Sequence, residues 1–413
     1  MVNMETVELL KKYNQVNLLN FYNRASDNVK EKLRKQISHI DFEQIIKLYE
    51  NVKNNSKIEN SIITPMKYID KEKIPDEDKK KYEKIGNEAI QNGKLAVITM
   101  AGGQGTRLGH MGPKGTFILD EKNNKSLFQI LCESLKNGNE KYRTTIPWYI
   151  MTSKENNDET EKYFAENNFF GYPKEKIKFF IQDELPVIDT KGNLMIGENG
   201  LIKEAANGHG GVFEAAEKNG IIEDMKKQNI EWIFIGGVDN PLIKMVDPIF
   251  MGICIDKKVL AGSKSIVKKD ENEKVGIFCR KNNKPYVIEY TEISKEMAEK
   301  KDENNEFVYG EAHVLFNLFN IKSLENLSKE KLPYHAAFKK NSYMNEKGEV
   351  VNPDEPNSYK FEAFLFDAFE RLDDMVILRV KRDEEFAPVK NKNGEDSPDT
   401  SRKLYYNYLN KNK

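Results

Sequence analysis

A short, mostly apolar run that passes directly into a glycine-rich segment constrains the fold of this sequence more than any other feature. The run LAVITM covers residues 95–100, and AGGQGTRLGHMGPKG covers residues 101–115. An apolar run that ends on glycines is typical of a buried strand followed by a tight loop. We therefore predict a strand at 95–100 whose carboxyl end carries a loop able to approach a ligand closely.

Further strands alternate with helices along the chain. WYIMTS (148–153), KIKFFIQ (176–182) and EWIFIGG (231–237) have the pattern of strands, and helices are predicted between them. The first of these helices is expected to begin after Ser126, in a predicted capping box, and to stop at Gly138. Alternating strands and helices favour a mainly parallel sheet, so we predict an α/β fold with ligands at the carboxyl ends of its strands.

The chain is predicted to have three parts. Residues 1–90 are expected to form a helical N-terminal region, residues 91–385 a central α/β domain, and residues 386–413 a short C-terminal segment with a loop and a terminal helix. Beyond residue 258 the predicted strands come closer together, which indicates a hairpin-rich addition to the sheet.

Composition argues against several classes of protein. Lys and Arg number 65 and Asp and Glu 66, so the net basic excess typical of a nucleic-acid binder is missing. The three cysteines are far apart, which disfavours a disulfide framework or a structural zinc site. No apolar run reaches the roughly 18 residues of a membrane span, and the N-terminus lacks the apolar core of a signal peptide. We therefore expect a cytoplasmic protein.

The glycine-rich segment has the composition of a phosphate-binding loop. Its glycines allow the backbone N–H groups to approach phosphate oxygens, and Arg107 and Lys114 add two positive charges. Two better-known loops do not fit. A P-loop requires Ser or Thr after its lysine, but Lys114 precedes Gly115, and the third glycine of a dinucleotide fingerprint comes one place late after Gly105. The loop belongs neither to an ordinary kinase nor to a dehydrogenase.

GGQGTRLG followed by PKG resembles the signature loop of the UDP-sugar pyrophosphorylases, specifically of the eukaryotic-type UDP-N-acetylglucosamine pyrophosphorylases. The resemblance continues in register from about residue 95 to residue 391. The further matching segments are QDELP (182–186), NGHGG (207–211), VDNPLIKMVDPIFMG (238–252), VGIFCR and VIEYTEI (within 275–293), KFEAFLFDAF (360–369) and EEFAPVKN (384–391).

This resemblance implies a Rossmann-like, GT-A-like nucleotidyltransferase fold: a mixed, mainly parallel sheet with flanking helices, a helical N-terminal extension and a short C-terminal part. It implies transfer of UMP from UTP to N-acetylglucosamine 1-phosphate, with Mg²⁺ as cofactor and release of pyrophosphate. The partners would be UTP, a sugar 1-phosphate and the UDP-sugar product, without nucleic acid or membrane. The sequence does not determine the oligomeric state and favours a monomer.

The resemblance also implies a role for individual residues. Those expected to bind phosphates and act in catalysis are Arg107, Lys114 and Lys390. Those expected to hold the uracil and ribose are Ala101, Gly102, Gly103, Gln182 and Gly208. Those expected to line the sugar pocket are His209, Gly210, Glu289, His313, Phe364 and Phe366. Asp239 is expected to ligate the magnesium ion.

Several of these side chains have an ordinary alternative when considered alone. Asp239 follows the apolar run of a strand, where a carboxylate can bridge Mg²⁺ to phosphate, although the adjacent Asn-Pro pair also fits a simple turn. Gln182 offers both a donor and an acceptor to a uracil edge, but a lone glutamine is usually a surface residue. Lys390 lies in a lysine-rich tail, and Glu289 fits the polar face of a strand.

Two departures from the family pattern leave the substrate open. His209 and His313 occupy positions where the N-acetylglucosamine enzymes usually carry asparagine, which favours glucose or galactose 1-phosphate as the alternative. A non-catalytic nucleotide-sugar sensor is disfavoured because Arg107, Lys114 and Asp239 are retained. A glycosyltransferase is disfavoured because the sequence Asp-Asn-Pro at 239–241 lacks the second acid of a D-x-D motif.

Overall fold

The computed structural model describes residues 2–54, 61–345 and 347–411. Contacts divide the chain into two compact units. The smaller unit comprises Met1–Asn60, Asp183–Gly211 and Leu332–Phe364, and the larger comprises Ser61–Gln182, Val212–Lys331 and Leu365–Lys413. The predicted domain boundaries at residues 90 and 385 stay a prediction, since units defined by contacts need not coincide with functional domains.

The elements of the described residues are numbered in chain order. The α-helices are α1 (Val2–Lys12), α2 (Val16–Arg24), α3 (Asp27–His39), α4 (Phe42–Asn54), α5 (Asp76–Gln91), α6 (Leu127–Tyr142), α7 (Asn157–Glu166), α8 (Val212–Lys218), α9 (Ile221–Lys227), α10 (Pro248–Asp256), α11 (Lys295–Glu299), α12 (Ile321–Leu327), α13 (Arg382–Glu385) and α14 (Pro398–Lys411). The strands are β1 (Ile63–Pro65), β2 (Ile69–Asp70), β3 (Leu95–Met100), β4 (Ile118–Asp120), β5 (Lys125–Ser126), β6 (Trp148–Thr152), β7 (Ile177–Ile181), β8 (Glu184–Pro186), β9 (Ile188–Asp189), β10 (Glu204–Ala206), β11 (Trp232–Gly237), β12 (Ala261–Val267), β13 (Ile277–Lys281), β14 (Lys284–Ile288), β15 (Glu311–Asn320), β16 (His335–Lys339), β17 (Tyr343–Met344), β18 (Val350–Val351), β19 (Ser358–Glu362) and β20 (Val376–Arg379). No helix within these ranges has the length and apolar composition needed to cross a membrane.

Eleven described strands of the larger unit form one sheet, with the main order β2-β20-β12-β15-β11-β3-β6-β7 and with β1, β13 and β14 off this path, while β4 and β5 form a separate two-stranded sheet. Strands β11, β3, β6 and β7 are parallel, as are β2, β20 and β12, whereas β15 runs antiparallel to both of its neighbours. The mixed, mainly parallel sheet with flanking helices confirms the predicted α/β architecture. β3, β6, β7 and β11 are the four strands predicted first, and β13 and β14 form the expected hairpin.

The helix predicted from Ser126 begins where expected but ends later. The Ser126 hydroxyl accepts a hydrogen bond from the N–H of Gln129 at 3.2 Å, as a capping residue should. The prediction that Gly138 stops this helix is wrong, because α6 continues to Tyr142. Gly138 is buried within the helix, and a Cβ there would lie 3.1 Å from Cγ2 of Val246. This glycine serves packing rather than termination.

Helices α5 and α10 approach each other through two glycines. A Cβ built on Gly86 would lie 1.9 Å from the carbonyl oxygen of Pro248, and one on Gly252 would lie 1.9 Å from that of Tyr82. Each helix therefore places backbone directly against backbone of the other. Such an approach is possible only where side chains are absent.

The smaller unit has its own hydrophobic core. Apolar residues of α1 to α4, such as Leu33 and Ile37, pack with Ile188, Ile202 and Phe361 from the two later segments of the chain. The side chain of Gln36 adds two hydrogen bonds to the backbone of Ile202, at 3.1 and 2.9 Å. The N-terminal helices therefore share a core with residues more than a hundred positions away.

Candidate active site

The glycine-rich loop leaves the carboxyl end of β3 and closes on itself. The N–H of Lys114 donates to the carbonyl of Gly103 at 3.0 Å, and the N–H of Gly105 donates to the carbonyl of Gly112 at 2.9 Å. Gly112 has a φ of +123°, which L side chains rarely adopt. The loop therefore holds the predicted phosphate-binding Lys114 against the segment predicted to bind the nucleotide.

Three consecutive N–H groups of this loop, those of Gly102, Gly103 and Gln104, have no acceptor in the described part of the chain. The carbonyl of Ala101, in contrast, accepts a hydrogen bond from Nδ2 of Asn156 at 2.9 Å. Successive N–H groups without an internal partner are a common way to bind anions. The geometry of the loop suits a phosphate.

Gln182 lies next to Gly102 in space. It follows β7, it is 6% exposed, and its N–H donates to the carbonyl of Thr152 at the end of β6, at 2.9 Å. A Cβ built on Gly102 would lie 2.4 Å from Gln182 Nε2, so the glycine makes room for the amide. The structure thus brings Gln182 together with the predicted nucleotide-binding segment of Ala101 to Gly103.

Asp239 follows β11, the parallel neighbour of β3, and faces Lys114. Lys114 Nζ lies 3.6 Å from Asp239 Oδ2, and the two side chains are 17% and 27% exposed. Burial acts to raise the pKa of Asp239, but the charges of Lys114 and Lys390 outweigh it and hold that pKa below its usual value. The strand end thus carries an ionised carboxylate within the field of two predicted phosphate-binding lysines.

The other two predicted cations are more exposed. Lys390 directly follows Val389, and the N–H of Val389 donates to the carbonyl of Asp239 at 2.9 Å. The Nζ of Lys390 lies 3.6 Å from Oδ2 of Asp396. Arg107 lies on an exposed turn of the glycine-rich loop, where no acidic side chain of the described residues pairs with it. The structure therefore places Lys390 beside Asp239 in the fold, but it does not bring Arg107 into contact with either.

A buried group of four charges, which we call the charge cluster, consists of Lys71, Asp247, Lys264 and Glu385. Lys264 is fully buried, and its Nζ lies 2.8 Å from Asp247 Oδ2 and 2.6 Å from Glu385 Oε2. Lys71 Nζ lies 2.7 Å from the same Asp247 oxygen. Burial acts to raise the pKa of Asp247, but the two lysines hold it far below its usual range. The cluster is internally compensated.

Asn240 connects this charge cluster to the strand end that carries Asp239. Its Nδ2 donates to the carbonyl of Glu385 at 2.6 Å, and its Oδ1 accepts the N–H of Ala387 at 2.8 Å. With the bond from Val389 to Asp239, three hydrogen bonds join residues 239–240 to the segment that leads to Lys390.

Three predicted sugar-pocket residues of the larger unit lie together. The N–H of His313 donates to the carbonyl of Gly276 at 2.8 Å, and a Cβ built on Gly276 would lie 3.5 Å from Glu289 Oε1. Three rings pack edge-on against the His313 imidazole, with centroids 5.2, 5.5 and 5.7 Å away: those of Phe278, Phe366 and Phe369. His313, Glu289 and Phe366 therefore surround one position of the sheet.

The other predicted residues, Gly208, His209, Gly210 and Phe364, come together in the smaller unit. Gly208 has a φ of +87°, and the N–H of Gly210 donates to the carbonyl of Ala363 at 2.8 Å. A Cβ on Gly210 would lie 2.7 Å from the carbonyl carbon of Phe364, whose ring centroid is 5.5 Å from that of His209. The two glycines allow this close approach.

Sequence patterns missed Asn156 and the charge cluster. An asparagine directly before a helix is typical of a capping residue, yet the Asn156 side chain makes no cap hydrogen bond to α7. Lys264 could have been noticed as a lysine in the middle of the strand sequence AGSKSIV. A buried lysine requires partners, but the sequence does not indicate which acids supply them.

Comparison with known proteins identifies the family. Residues 40–395 match the family model UDPGP, described as UTP–glucose-1-phosphate uridylyltransferase. The chain belongs to this family. The match spans most of the sequence and includes every predicted site residue.

Relatives within the UDPGP family carry more specific names. The UDP-N-acetylglucosamine pyrophosphorylase of Saccharomyces cerevisiae is 38% identical over 366 residues, covering 85% of this chain and 77% of that protein. The UDP-N-acetylglucosamine diphosphorylase 2 of Arabidopsis thaliana is 33% identical over 421 residues, covering 96% and 82%. The crystal structure of the uridine diphosphate N-acetylglucosamine pyrophosphorylase of Trypanosoma brucei, in complex with an inhibitor, has a TM-score of 0.82 at 30% identity, covering 98% and 84%. These matches confirm the resemblance inferred from the sequence segments.

Proposed function

We propose that this UDPGP-family chain is a UDP-N-acetylglucosamine diphosphorylase, which transfers UMP from UTP to N-acetylglucosamine 1-phosphate and releases pyrophosphate. The chain is a uridylyltransferase of the UDP-sugar pyrophosphorylase class. One structural observation carries the proposal. Lys114, on the loop whose N–H groups suit a phosphate, pairs with Asp239, which follows β11, the parallel neighbour of the strand β3 that leads into this loop.

The reaction requires two anions to meet. An oxygen of the sugar 1-phosphate attacks the α-phosphorus of UTP, and the bond from that phosphorus to pyrophosphate breaks. Lys114 and Arg107 would hold the phosphates of UTP and Lys390 the sugar phosphate, so that their repulsion is offset and the reactants are aligned. A phosphate monoester dianion is already a nucleophile, so no covalent intermediate or general base is required.

The proposal includes Mg²⁺, and the Asp239 carboxylate is a suitable ligand for this ion. Mg²⁺ is usually held by one or two carboxylates together with substrate phosphates. Asp239 supplies one ionised, partly buried carboxylate, while the described residues contain no group of three or more His, Cys, Asp or Glu side chains able to hold a metal alone. When bound, the ion would offset negative charge on the phosphates. Asp239 would hold it.

The finer structural predictions also belong to this proposal. They comprise a GT-A-like form of the sheet, residues 1–90 as a helical extension and a short C-terminal part. We further propose that the protein is a cytoplasmic monomer without nucleic-acid or membrane partners. The free, buried state of Cys132, Cys254 and Cys279 is consistent with a reducing compartment.

A second candidate is the same chemistry on glucose or galactose 1-phosphate. It is favoured by the imidazoles of His209 and His313, which replace amide side chains of the N-acetylglucosamine enzymes. His313 lies beside Glu289 and Phe366, two further residues predicted to contact the sugar.

Pyrophosphate release from UTP and Mg²⁺ tests both candidates with one panel of sugar 1-phosphates: N-acetylglucosamine, N-acetylgalactosamine, glucose and galactose. We expect the highest kcat/KM with N-acetylglucosamine 1-phosphate. Preference for glucose or galactose 1-phosphate would establish the second candidate. Release with none of the four would contradict the catalytic proposal.

A further inference from the structure

Asn156 joins the glycine-rich loop to the end of β6. It is fully buried, and its Nδ2 lies 2.9 Å from the carbonyl oxygen of Ala101 and 3.4 Å from that of Gly103. Its Oδ1 accepts the N–H of Ser153 at 2.9 Å, just beyond the last residue of β6. One amide therefore holds two carbonyl groups of the loop and one N–H group of the neighbouring strand end.

Holding these carbonyl groups also orients N–H groups of the loop. In a planar trans peptide the C=O and N–H point in opposite directions. The carbonyl of Ala101 shares its peptide with the N–H of Gly102, and the carbonyl of Gly103 shares its peptide with the N–H of Gln104. Because Asn156 binds both carbonyls, it directs both N–H groups away from itself. These are two of the three N–H groups that lack an acceptor among the described residues.

Two buried side-chain oxygens on the joined segments point to a polar ligand as well. The Oγ of Ser153 and the Oε1 of Gln104 are buried and have no hydrogen-bond partner among the described residues. Buried polar atoms without a partner are rare in native proteins, and each requires an explanation. A polar ligand bound at the loop would supply partners to both segments that Asn156 joins.

We infer that Asn156 is a positioning residue for UTP: it fixes the orientation of the loop N–H groups that receive the nucleotide. The inference rests on the proposed function for the identity of that nucleotide. Asn156 contacts the loop and not the reacting atoms. Its replacement is therefore expected to change the affinity for UTP and not the affinity for the sugar phosphate.

The next residue supplies a matched control. Asn157 is also buried, at 8% exposure, but its Oδ1 accepts the hydroxyl of Thr152 at 2.7 Å and its Nδ2 donates to Glu161 at 2.8 Å. An Asn→Asp substitution at either position therefore makes the same chemical change at the N-terminus of α7. Only the substitution of Asn156 removes the hydrogen bonds to the loop.

The experiment compares Asn156→Asp with Asn157→Asp in the full chain. Aspartate retains the acceptor oxygen, but it removes the donor to the two carbonyl groups and adds a negative charge beside the phosphate loop. We expect Asn156→Asp to raise both the KM and the calorimetric Kd for UTP by about tenfold or more, the loss of roughly one good hydrogen bond. The KM of Asn156→Asp for N-acetylglucosamine 1-phosphate should stay within about twofold of the wild-type value. The KM and Kd of Asn157→Asp for UTP should also stay within about twofold of the wild-type values.

Urea unfolding of both variants separates binding from folding. An unchanged UTP affinity in folded Asn156→Asp, or an equal loss in the two variants, would overturn the inference. If Asn156→Asp does not fold, Asn156→Ser, which keeps one shorter donor, should raise the UTP constants by about threefold, and unchanged constants would again overturn it. A wild-type chain that binds UTP but releases no pyrophosphate would contradict the proposed function alone, because the comparison of UTP affinities would still decide the role of Asn156.

Discussion

Nε2 of His313 lies 3.2 Å from Oδ1 of Asn317, although the two residues are four positions apart on the single strand β15. A regular strand advances about 3.3 Å per residue, so two such side chains would start about 13 Å apart. Leu315 has a φ of +63°, and the pairing of β12 with β15 shifts register between Ser263 and Ser265. The strand therefore bends at a bulge, a feature that often re-aims a side chain next to an active site.

Replacing His313 tests its predicted role in sugar recognition. An amide offers both a donor and an acceptor to the acetamido group of the sugar. We expect His313→Asn to raise kcat/KM for N-acetylglucosamine 1-phosphate relative to glucose 1-phosphate by about three- to tenfold, the equivalent of about one hydrogen bond. Parallel pyrophosphate-release assays measure the ratio. His39→Asn, on the exposed surface of α3, serves as the control, and an unchanged ratio in His313→Asn would remove that residue from sugar selection.

Lys114 should be needed for turnover and should set the acid limb of the pH profile. We expect Lys114→Ala to lower kcat by at least about 100-fold, because a charge aimed at the phosphates is lost. Lys114 lowers the pKa of Asp239, so its removal raises that pKa and moves the acid limb of kcat/KM to higher pH. Lys114→Arg retains the charge and should keep the acid limb near its wild-type position. A folded Lys114→Ala protein with near-normal turnover would exclude the residue from the mechanism.

Magnesium should be required, and Asp239 should set the concentration needed. We expect EDTA to abolish pyrophosphate release and added Mg²⁺ to restore it. Asp239→Asn, which removes the charge of the proposed ligand, should raise the Mg²⁺ concentration for half-maximal activity by about tenfold or more. Asp256→Asn removes a carboxylate on α10 that pairs with Lys81, and its Mg²⁺ requirement should match the wild type. Equal requirements in all three proteins would argue against Asp239 as the ligand.

The charge cluster should be sensitive to the loss of one cation. Lys264→Met leaves two buried carboxylates with less compensation, so we expect the free energy of unfolding to fall by about 3 to 5 kcal/mol. Lys269→Met makes the same change in a partly exposed ion pair with Glu395. This substitution should alter the free energy of unfolding by no more than about 0.5 kcal/mol. Urea unfolding measures both. Similar losses in the two variants would mean that the cluster contributes no more than an ordinary surface pair.

The contact between α5 and α10 should tolerate no side chain. Gly86→Ala would place a methyl group against backbone, which cannot move without separating the helices, so we expect a loss of at least about 3 kcal/mol in unfolding free energy. The nearest atoms to the new methyl group in Gly138→Ala belong to the side chain of Val246, and the substitution gains helix propensity, so the unfolding free energy should change by no more than about 1 kcal/mol. Thermal or urea unfolding distinguishes the two. A loss of about 3 kcal/mol or more in the unfolding free energy of Gly138→Ala would show that this position does not tolerate a side chain either.

The sequence predicted the strands around the candidate site well, because a buried parallel strand such as 95–100 is a continuous apolar run with its own local signal. It failed where packing overrides a local signal. Gly138 has the sequence signal of a helix end, but contact with Val246 places it inside the helix. Asn156 has the signal of a cap, but its amide turns to the loop.

The division into two units was beyond local patterns for the same reason. It depends on contacts between α1 to α4 and residues such as Ile188 and Phe361, which no periodicity along the chain records. The charge cluster likewise joins residues from four separate parts of the sequence. Long-range complementarity of this kind is visible only once the chain is folded.

The burial of all three thiols makes the chain suitable for site-directed labelling. Burial raises the pKa of Cys132 and of Cys279 to about 12, so few thiolates form at neutral pH, and Cys254 is fully buried as well. Met111, in contrast, is 88% exposed on the glycine-rich loop. A fluorophore attached after Met111→Cys would therefore report nucleotide binding from the loop itself, without removal of any native cysteine.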